Sequence, residues 1–400
     1  MAGRPARDVP AWDEEKAMAV RPMQPSDYEG VNRLYRSVGW PERSLAGWRW
    51  LEANPARLET AAPVGWVIAD EDDAPAAVVG NLVQRFHAGE RRLIGATGFS
   101  IVVPPSRAGV SRSLIRAVMK QPGLFAAYTF NANPKAAPLY KMFGLRPFPD
   151  RTHALKLSWR VDWAASLGGR LLRALYARTP AERAHRIGER LLNRRLDANR
   201  PLRLPEGVQI LRDLSDRSAY AAYWTALKAA TPLVADRSPE TMRWRLADPD
   251  QARPPLLLAV VRDGAIQATA MAMIAKTSIL EPPCLDIIDL TALPGPGADG
   301  DIQDLARTLI ANARGMGAAK VRLPMVSPDL LARLGPLAKR ARKEGGWGHC
   351  HARITDDALA ALWAPTPFDG DFSICSRPAP VRSVPAARRR PATFGQAMKA

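Results

Sequence analysis

One stretch of this 400-residue chain recurs at a fixed offset of 194. Residues 44–55 read SLAGWRWLEANP and residues 238–249 read SPETMRWRLADP. Ser44/Ser238, Arg49/Arg243, Trp50/Trp244, Ala53/Ala247 and Pro55/Pro249 are identical, and Asn54/Asp248 is a similar pair. Tryptophan is rare, so a shared Arg-Trp with matching flanks is hard to obtain by chance. A repeat of this length demands two like folding units, a stronger constraint than any composition.

The flanks agree with it. A strand-like start and a helix precede each copy, at 18–38 and 207–227. In both, Ser-Asp (Ser26-Asp27 and Ser215-Asp216) stands ahead of the periodic apolar positions and is expected to cap the helix. An apolar run, a turn and a second run follow each copy, at 65–86 and 255–276. Asp263-Gly264 is a hairpin signal, and Asp70 to Pro75 takes the same part less tightly. The expected organisation is a first unit at 18–158, a basic helical linker at 159–204 and a second unit at 205–375. Residues 1–17 and the Arg/Pro-rich tail 376–400 are expected to be disordered.

Charge follows the same division. The net charge is +18, and residues 160–204 carry eleven arginines against four acids, a net +7. The tail from Ser376 carries five arginines and Lys399 with no acid, a net +6. Such segments suit an anionic partner, a membrane surface or RNA, although a solvated arginine-rich surface explains them as well. Within the linker, Leu171, Leu172, Leu175, Ile187, Leu191 and Leu192 make an apolar stripe fitted to pack between the units or to lie on a membrane.

Several function classes drop out. No run of about eighteen apolar residues predicts a membrane-spanning helix, and the N-terminus lacks the apolar region of a secretory signal. Three scattered cysteines, Cys284, Cys350 and Cys375, imply a reducing compartment and no disulfide framework. The expected location is cytoplasmic, with the basic segments able to hold the chain at the inner membrane surface. His349-Cys350-His351 has no second ligand pair at a workable spacing, so it reads as structural and no metal is expected.

The chemistry concentrates in the first half. A long β-type run at 91–103 turns through PPSRAGVSRSL into a helix, and a strand at 123–133 follows. Strand, glycine-bearing turn and helix present backbone N–H groups to an anion; Gly109 permits close approach and Arg107 and Arg112 add charge. A short helix carrying Tyr140 then closes at Gly144, a natural left-handed stop. The preceding strand holds no carboxylate or histidine, so no general base is visible; His87 and Glu90, in or beside the turn before it, are candidates that read equally as surface residues.

In this order of elements the first half resembles the GCN5-related N-acetyltransferase (GNAT) superfamily. Residues 106–114, SRAGVSRSL, are similar to its pyrophosphate loop, with Ser106 in the first place, Gly109 retained and Ser111 where glycine or alanine is usual. Asn133, Ala136 or Ala137, Tyr140, Gly144 and Leu145 stand at the places of its final motif. The resemblance implies an α+β fold, two tandem GNAT-like units with mixed sheets whose fourth and fifth strands splay apart to admit acetyl-CoA or another acyl-CoA. Backbone groups of Ile101, Val102 and Val103 would hold the pantetheine arm and polarise the thioester. The loop Arg107, Ala108, Gly109, Val110, Ser111, Arg112 and Ser113, with Asn133, would complete the cofactor site. Tyr140 would protonate the leaving thiolate.

The second half looks like a worn copy. At the expected loop, Asp299, Asp301 and Asp304 cluster at a helix start, where they would repel a pyrophosphate, and the later helix has no tyrosine. This half is expected to build the acceptor side or a dimer contact. Its end, 362–375, is expected to close the sheet, with Trp363 and Phe372 as core and Asp369 and Asp371 as turn caps rather than cation ligands. The leading expectation is an N-acyltransferase, most simply an acetyltransferase, acting on an amine of a small molecule, sugar or peptide. A Fem-type aminoacyl transferase using aminoacyl-tRNA, or a non-catalytic binding or scaffold protein, are the alternatives.

Overall fold

The computed structural model describes residues 20–375 except 39, 108, 134–135, 177–185, 188–189, 191–194, 196–197, 199, 252, 277–279 and 347. The tail and most of the second part of the linker therefore lie outside the described residues, with Leu191 and Leu192 of the linker stripe.

The first half runs β1 (Val20–Pro22), α1 (Tyr28–Ser37), α2 (Leu45–Glu52), α3 (Pro55–Thr60), β2 (Gly65–Ala69), β3 (Pro75–Ala88) and β4 (Arg91–Val102). It continues with α4 (Ser111–Met119), β5 (Leu124–Thr129), α5 (Ala137–Met142), β6 (Arg146–Pro147) and β7 (Leu155–Arg160), and α6 (Trp163–Tyr176) leads away. The second half runs β8 (Val208–Ile210), α7 (Ala219–Ala230), β9 (Val234–Ala235), α8 (Pro239–Leu246), β10 (Leu256–Arg262), β11 (Ala265–Ala275), β12 (Cys284–Ala292) and α9 (Ala298–Ala313). It ends with β13 (Lys320–Leu323), α10 (Pro328–Arg333), α11 (Pro336–Arg340), β14 (Arg342–Gly345), β15 (His351–Ile354), α12 (Asp357–Leu362) and the single turn α13 (Phe372–Cys375).

Two mixed sheets result, ordered β1-β2-β3-β4-β5-β15-β6 and β8-β10-β11-β12-β13-β7-β14, with β9 added to the far end of β3. The orders are equivalent, but each sheet takes its closing strand from the other half. β15 pairs antiparallel with β5, Ala352 opposite Tyr128, and β7 pairs antiparallel with β13, Trp159 opposite Val321. The segment 362–375, expected to close the sheet, contributes no strand to it. Trp363 and Phe372 are nonetheless buried in the core.

Period-2 alternation explains the layers. On β3, Val78 and Leu82 face a cluster with Val31, Trp48 and Leu51 of α1 and α2, while Ala77 and Val79 face Leu114, Ile115 and Val118 of α4. On β11, Ala268, Ala270 and Ala272 pack against Ile302, Leu305 and Leu309 of α9. The opposite face, Met271 and Met273, joins Phe86, Tyr128 and Phe130 of the first sheet in a core shared by both halves.

The repeat is reproduced in hydrogen bonds. Ser44 caps α2, its Oγ accepting from Gly47 N at 2.9 Å, and Ser238 caps α8, accepting from Thr241 N at 3.3 Å. Asn54 and Asp248 each close a turn by accepting from the amide two residues on, Ala56 N at 3.0 Å and Asp250 N at 3.0 Å. The helices ahead of the repeat start differently from expectation. Ser218 caps α7, because Asp213 Oδ1 takes the Ser215 amide into a turn of its own. Asp27 spends its carboxylate on Gln24 N and Arg21 instead of on α1. The Asp263-Gly264 hairpin forms with both residues at positive φ.

Candidate active site

β4 and β5 run parallel from Ile94 opposite Leu124 to Thr97 opposite Tyr128, with a register shift between Ile94 and Gly95. β5 then stops at Thr129 while β4 continues to Val102, so the strands part as the family resemblance implies. Ser100 sits in the left-handed region at φ 49°, inside an irregularity where Phe99 opposes Gly80 and Val102 opposes Val78. A bulge here turns the end of β4 out of the regular ladder.

Ile101 and Val103 are half-buried and Val102 is buried. Across the divergence, Ala136, Leu139 and Phe143 are also half-buried, as is Val110 ahead of α4. Ile101, Val103, Val110, Ala136, Leu139 and Phe143, only partly withdrawn from water, pack against the core of Leu114, Ile115 and Tyr140. Ser106, Gly109, Arg112 and Ser113 are exposed, and Arg107 and Ser111 half-buried; Ala108 lies outside the described residues. Gly109 has φ 103° and open space where a Cβ would point, so backbone conformation, not close packing, requires glycine. The amides of Arg107, Val110, Arg112 and Ser113 bond to carbonyls of the loop itself, those of Val110 and Arg112 at a long 3.3 Å. Holding a pyrophosphate would exchange these bonds for bonds to oxygen anions. Asn133 is exposed ahead of α5, its Oδ1 accepting from Ala136 N at 2.8 Å.

Tyr140 is buried, 7 % exposed, at the inner end of the wedge. Its hydroxyl is hydrogen-bonded with the side chain of Thr129, and burial together with the nearby Asp371 charge pushes its pKa up to about 12. Gly144, at φ 78°, stops α5 as expected, with Leu145 N bonding to Tyr140 O at 3.2 Å.

The base of the wedge is not empty space. The last segment of the second half, 366–375, enters it: Cys375 Sγ lies 3.6 Å from Ser100 Oγ on β4, and a Cβ at Gly370 would stand 3.3 Å from Phe130 just beyond β5. Three buried arginines hold this segment. Arg43 donates to Ile374 O at 3.1 Å. Arg245 donates to Ser373 Oγ at 2.6 Å, Phe368 O at 3.1 Å and Gln84 Oε1 at 2.7 Å. Arg237 reaches Thr366 Oγ1 at 2.9 Å and Asp369 Oδ1 at 3.2 Å. Burial lowers Arg245 to about 10. Burial acts the same way on Arg237, but Asp289 and Asp369 outweigh it and raise its pKa.

This segment delivers Asp371, a carboxylate 6 % exposed. Its Oδ2 accepts from Cys375 Sγ at 3.1 Å, and among the described residues its Oδ1 has no hydrogen-bond partner. Burial raises its pKa, with the Cys375 contact acting the other way. A buried, under-bonded carboxylate beside a buried phenol is the arrangement from which acid–base pairs are made. Sequence reasoning took Asp371 for a turn cap; its turn is in fact the route by which one half supplies a carboxylate to the other. Asp369 is a cap, accepting from Thr366 N, and also the partner of Arg237.

The other candidates lie elsewhere. His87 pairs with Arg92 across β3 and β4, five residues and so about 17 Å from Thr97 where the strands part; its Nε2 is 3.6 Å from Asp236. Glu90 is in the turn beyond it. His349 Nε2 contacts Pro324 O at 3.1 Å, and burial lowers its pKa to about 3. Cys350 Sγ donates to Phe130 O at 3.4 Å, and among the described residues no group of three His, Cys, Asp or Glu could hold a metal.

In the second sheet β12 leaves β13 after Asp286 opposite Arg322. The divergence holds a buried ionic cluster: Arg237 bonds both oxygens of Asp289 at 2.6 and 2.9 Å, Thr366 Oγ1 donates to Asp289 at 2.7 Å, and Trp363 Nε1 donates to Asp369 at 2.9 Å. At the start of α9, Asp301 pairs with Arg262, and Asp299 with Arg333 at 3.1 Å. These acids are thus already paired with arginines.

No protein-family model matches the sequence, and no curated protein matches it. Solved structures do. Saccharomyces cerevisiae N-myristoyltransferase, in structures with bound myristoyl-CoA and inhibitors, superposes with TM-score 0.53 at 8 % identity, covering 84 % of this chain and 79 % of that one. A second set, with bound myristoyl-CoA, gives 0.51 at 11 % identity over 84 % and 77 %. A GCN5-related N-acetyltransferase from Kribbella flavida is more distant, at 0.44 and 15 % identity over 86 % and 73 %. With two equivalent mixed sheets and strands that part at the fourth and fifth positions of the first, the chain has the GNAT-type fold.

Proposed function

We propose that the protein is an acyl-CoA-dependent N-acyltransferase whose reaction takes place at the first wedge. The observation that carries this reading is that Asp371, through Cys375, is held against Ser100 on the unpaired length of β4, and that its charge bears on the buried Tyr140 hydroxyl. The pantetheine arm would lie along Ile101 to Val103, with the thioester carbonyl polarised by their backbone N–H groups. The diphosphate would sit over Arg107 to Ser113, and Asn133 would border it. Asp371 takes a proton from the acceptor amine as its nitrogen attacks the thioester carbon; the C–N bond forms, the C–S bond breaks, and Tyr140 gives its proton to the departing CoA sulfur. The thiol of free CoA is the second product. A raised carboxylate pKa suits a base and a protonated phenol suits an acid at neutral pH. Acetyl is the simplest acyl group; the acceptor is an amine of a small molecule, sugar or peptide.

The test compares wild type, Tyr140→Phe and Asp371→Asn with acetyl-CoA and longer acyl-CoAs, following CoA thiol release with a panel of amines. Tyr140→Phe is expected to lower kcat by about 10²-fold or more with CoA affinity nearly intact. An unchanged rate would remove Tyr140 from the chemistry.

A second reading has a specific observation in its favour. Residues 370–375 fill the base of the wedge, which suits a GNAT-derived binding or scaffold protein that has given up catalysis. That reading expects CoA species to bind weakly or not at all and no thiol release with any amine.

A further inference from the structure

α6 turns three different faces to its surroundings. Ala165, Gly169 and Leu172 point inward and are buried, with a Cβ at Gly169 only 2.8 Å from Pro282. Asp162 caps the first turn, accepting from Ala165 N at 2.9 Å, and Arg173 is tied to Glu281 at 2.6 Å. The helix is therefore firmly seated. Its second face is apolar and open to water: Trp163 is 71 % exposed, Leu167 57 %, Leu171 62 % and Leu175 41 %. These follow one another at i, i+4, i+8 and i+12, so they form one stripe along the helix. The third face is basic, with Arg170 exposed beside the stripe and the Arg160 guanidinium 4.0 Å over the Trp163 ring.

Leucines scattered singly on a surface need no explanation, but a continuous stripe on an anchored helix does. We infer that this face of α6 docks the protein onto a bilayer rich in anionic phospholipid, Trp163, Leu167 and Leu171 entering the headgroup boundary and the flanking arginines meeting lipid phosphates. The proposal is independent of the acyl-transfer reading. Charge decides the occupant. The sequence from 160 to 204 holds eleven arginines against four acids, which complements an anionic surface, and the net charge of +18 opposes a second copy of the chain. RNA would satisfy the arginines and leave the apolar stripe in water; a bilayer satisfies both. No described helix is long and apolar enough to cross a membrane, so the contact is one lying in the surface plane.

Flotation of the full chain with phosphatidylcholine vesicles, with and without roughly 30 % phosphatidylglycerol, tests this. The chain is expected to float with the anionic vesicles and to remain behind with neutral ones. The double variant Leu167→Glu/Leu171→Glu is expected to bind at least about tenfold more weakly. Because both positions are exposed, its Tm should equal that of wild type, which separates lost docking from lost folding. Absence of flotation with anionic vesicles, or equal flotation by the variant, would overturn the proposal. So would a dimer in vesicle-free solution that this variant abolishes, or tighter binding to a single-stranded RNA that the variant leaves unchanged.

Discussion

Trp50 and Trp244 stack on one another, ring centroids 4.8 Å apart and planes 10° from parallel. Each indole N–H donates to the other residue's backbone carbonyl, at 2.6 and 2.8 Å. The two residues that repeat at offset 194 are thus partners in a self-complementary contact, of the kind an internal two-fold imposes. The relation extends outward to the exchange of β7 and β15, so the halves are interlocked.

Breaking this contact should be cooperative. Trp50→Phe removes one bond to Trp244 O, which keeps its bond from Ala247 N, and Trp244→Phe removes the indole bond to Trp50 O; each is expected to cost about 1 kcal/mol or more. The double variant should cost less than the sum, with a coupling above about 0.5 kcal/mol. Denaturant titration of the four proteins measures it, and strict additivity would mean that the two indoles act separately.

Arg237 neutralises two buried carboxylates, Asp289 and Asp369. Arg237→Met leaves both uncompensated and is expected to destabilise by about 3–5 kcal/mol at neutral pH. Burial already raises Asp369 against the pull of Arg237, so without the guanidinium the deficit should shrink as pH falls and Asp369 takes up a proton. A deficit independent of pH, read from Tm between neutral and acidic buffers, would place the loss in packing instead.

Asp371 is expected to trade stability for activity. Its folded pKa is raised by burial, so its favourable contribution is present below the unfolded value of about 3.9 and is lost as pH climbs through the folded one. Asp371→Asn should therefore have a higher Tm than wild type at neutral pH, an advantage that fades on acidification. The same variant should lose about 10²-fold or more in kcat. Lower stability at neutral pH would show that the carboxylate is a structural acceptor.

Arg112 is exposed at the start of α4, so Arg112→Glu should leave Tm unchanged. Placing a like charge near a diphosphate at surface dielectric is expected to weaken CoA binding by about tenfold. Unaltered affinity in calorimetry would move the diphosphate away from this loop.

Much of the fold was legible. The Arg-Trp repeat, the serine caps of α2 and α8, the Asp263-Gly264 hairpin and the Gly144 stop are local rules obeyed locally. The closing strands were not, because nothing in the residues of β7 or β15 records which sheet they join; both carry the same alternation and fit either edge. For the candidate site, motif spacing singles out Tyr140 and the loop around Gly109. It does not single out Asp371. The segment that carries it is held by contacts far away in sequence, up to the 331 residues between Arg43 and Ile374, and its sequence neighbourhood has the composition of a turn. The signal that could have found it is an absence: a wedge with an acid and no base invites a carboxylate from the repeat's other copy.

The most direct measurement is thermal unfolding of the full chain with acetyl-CoA, myristoyl-CoA and free CoA. A CoA species present at 100 times its Kd should add about 2.7 kcal/mol of stability, and a corresponding rise in Tm is predicted for at least one acyl-CoA. If every CoA species leaves the transition where it was, the first wedge is not an acyl-CoA site.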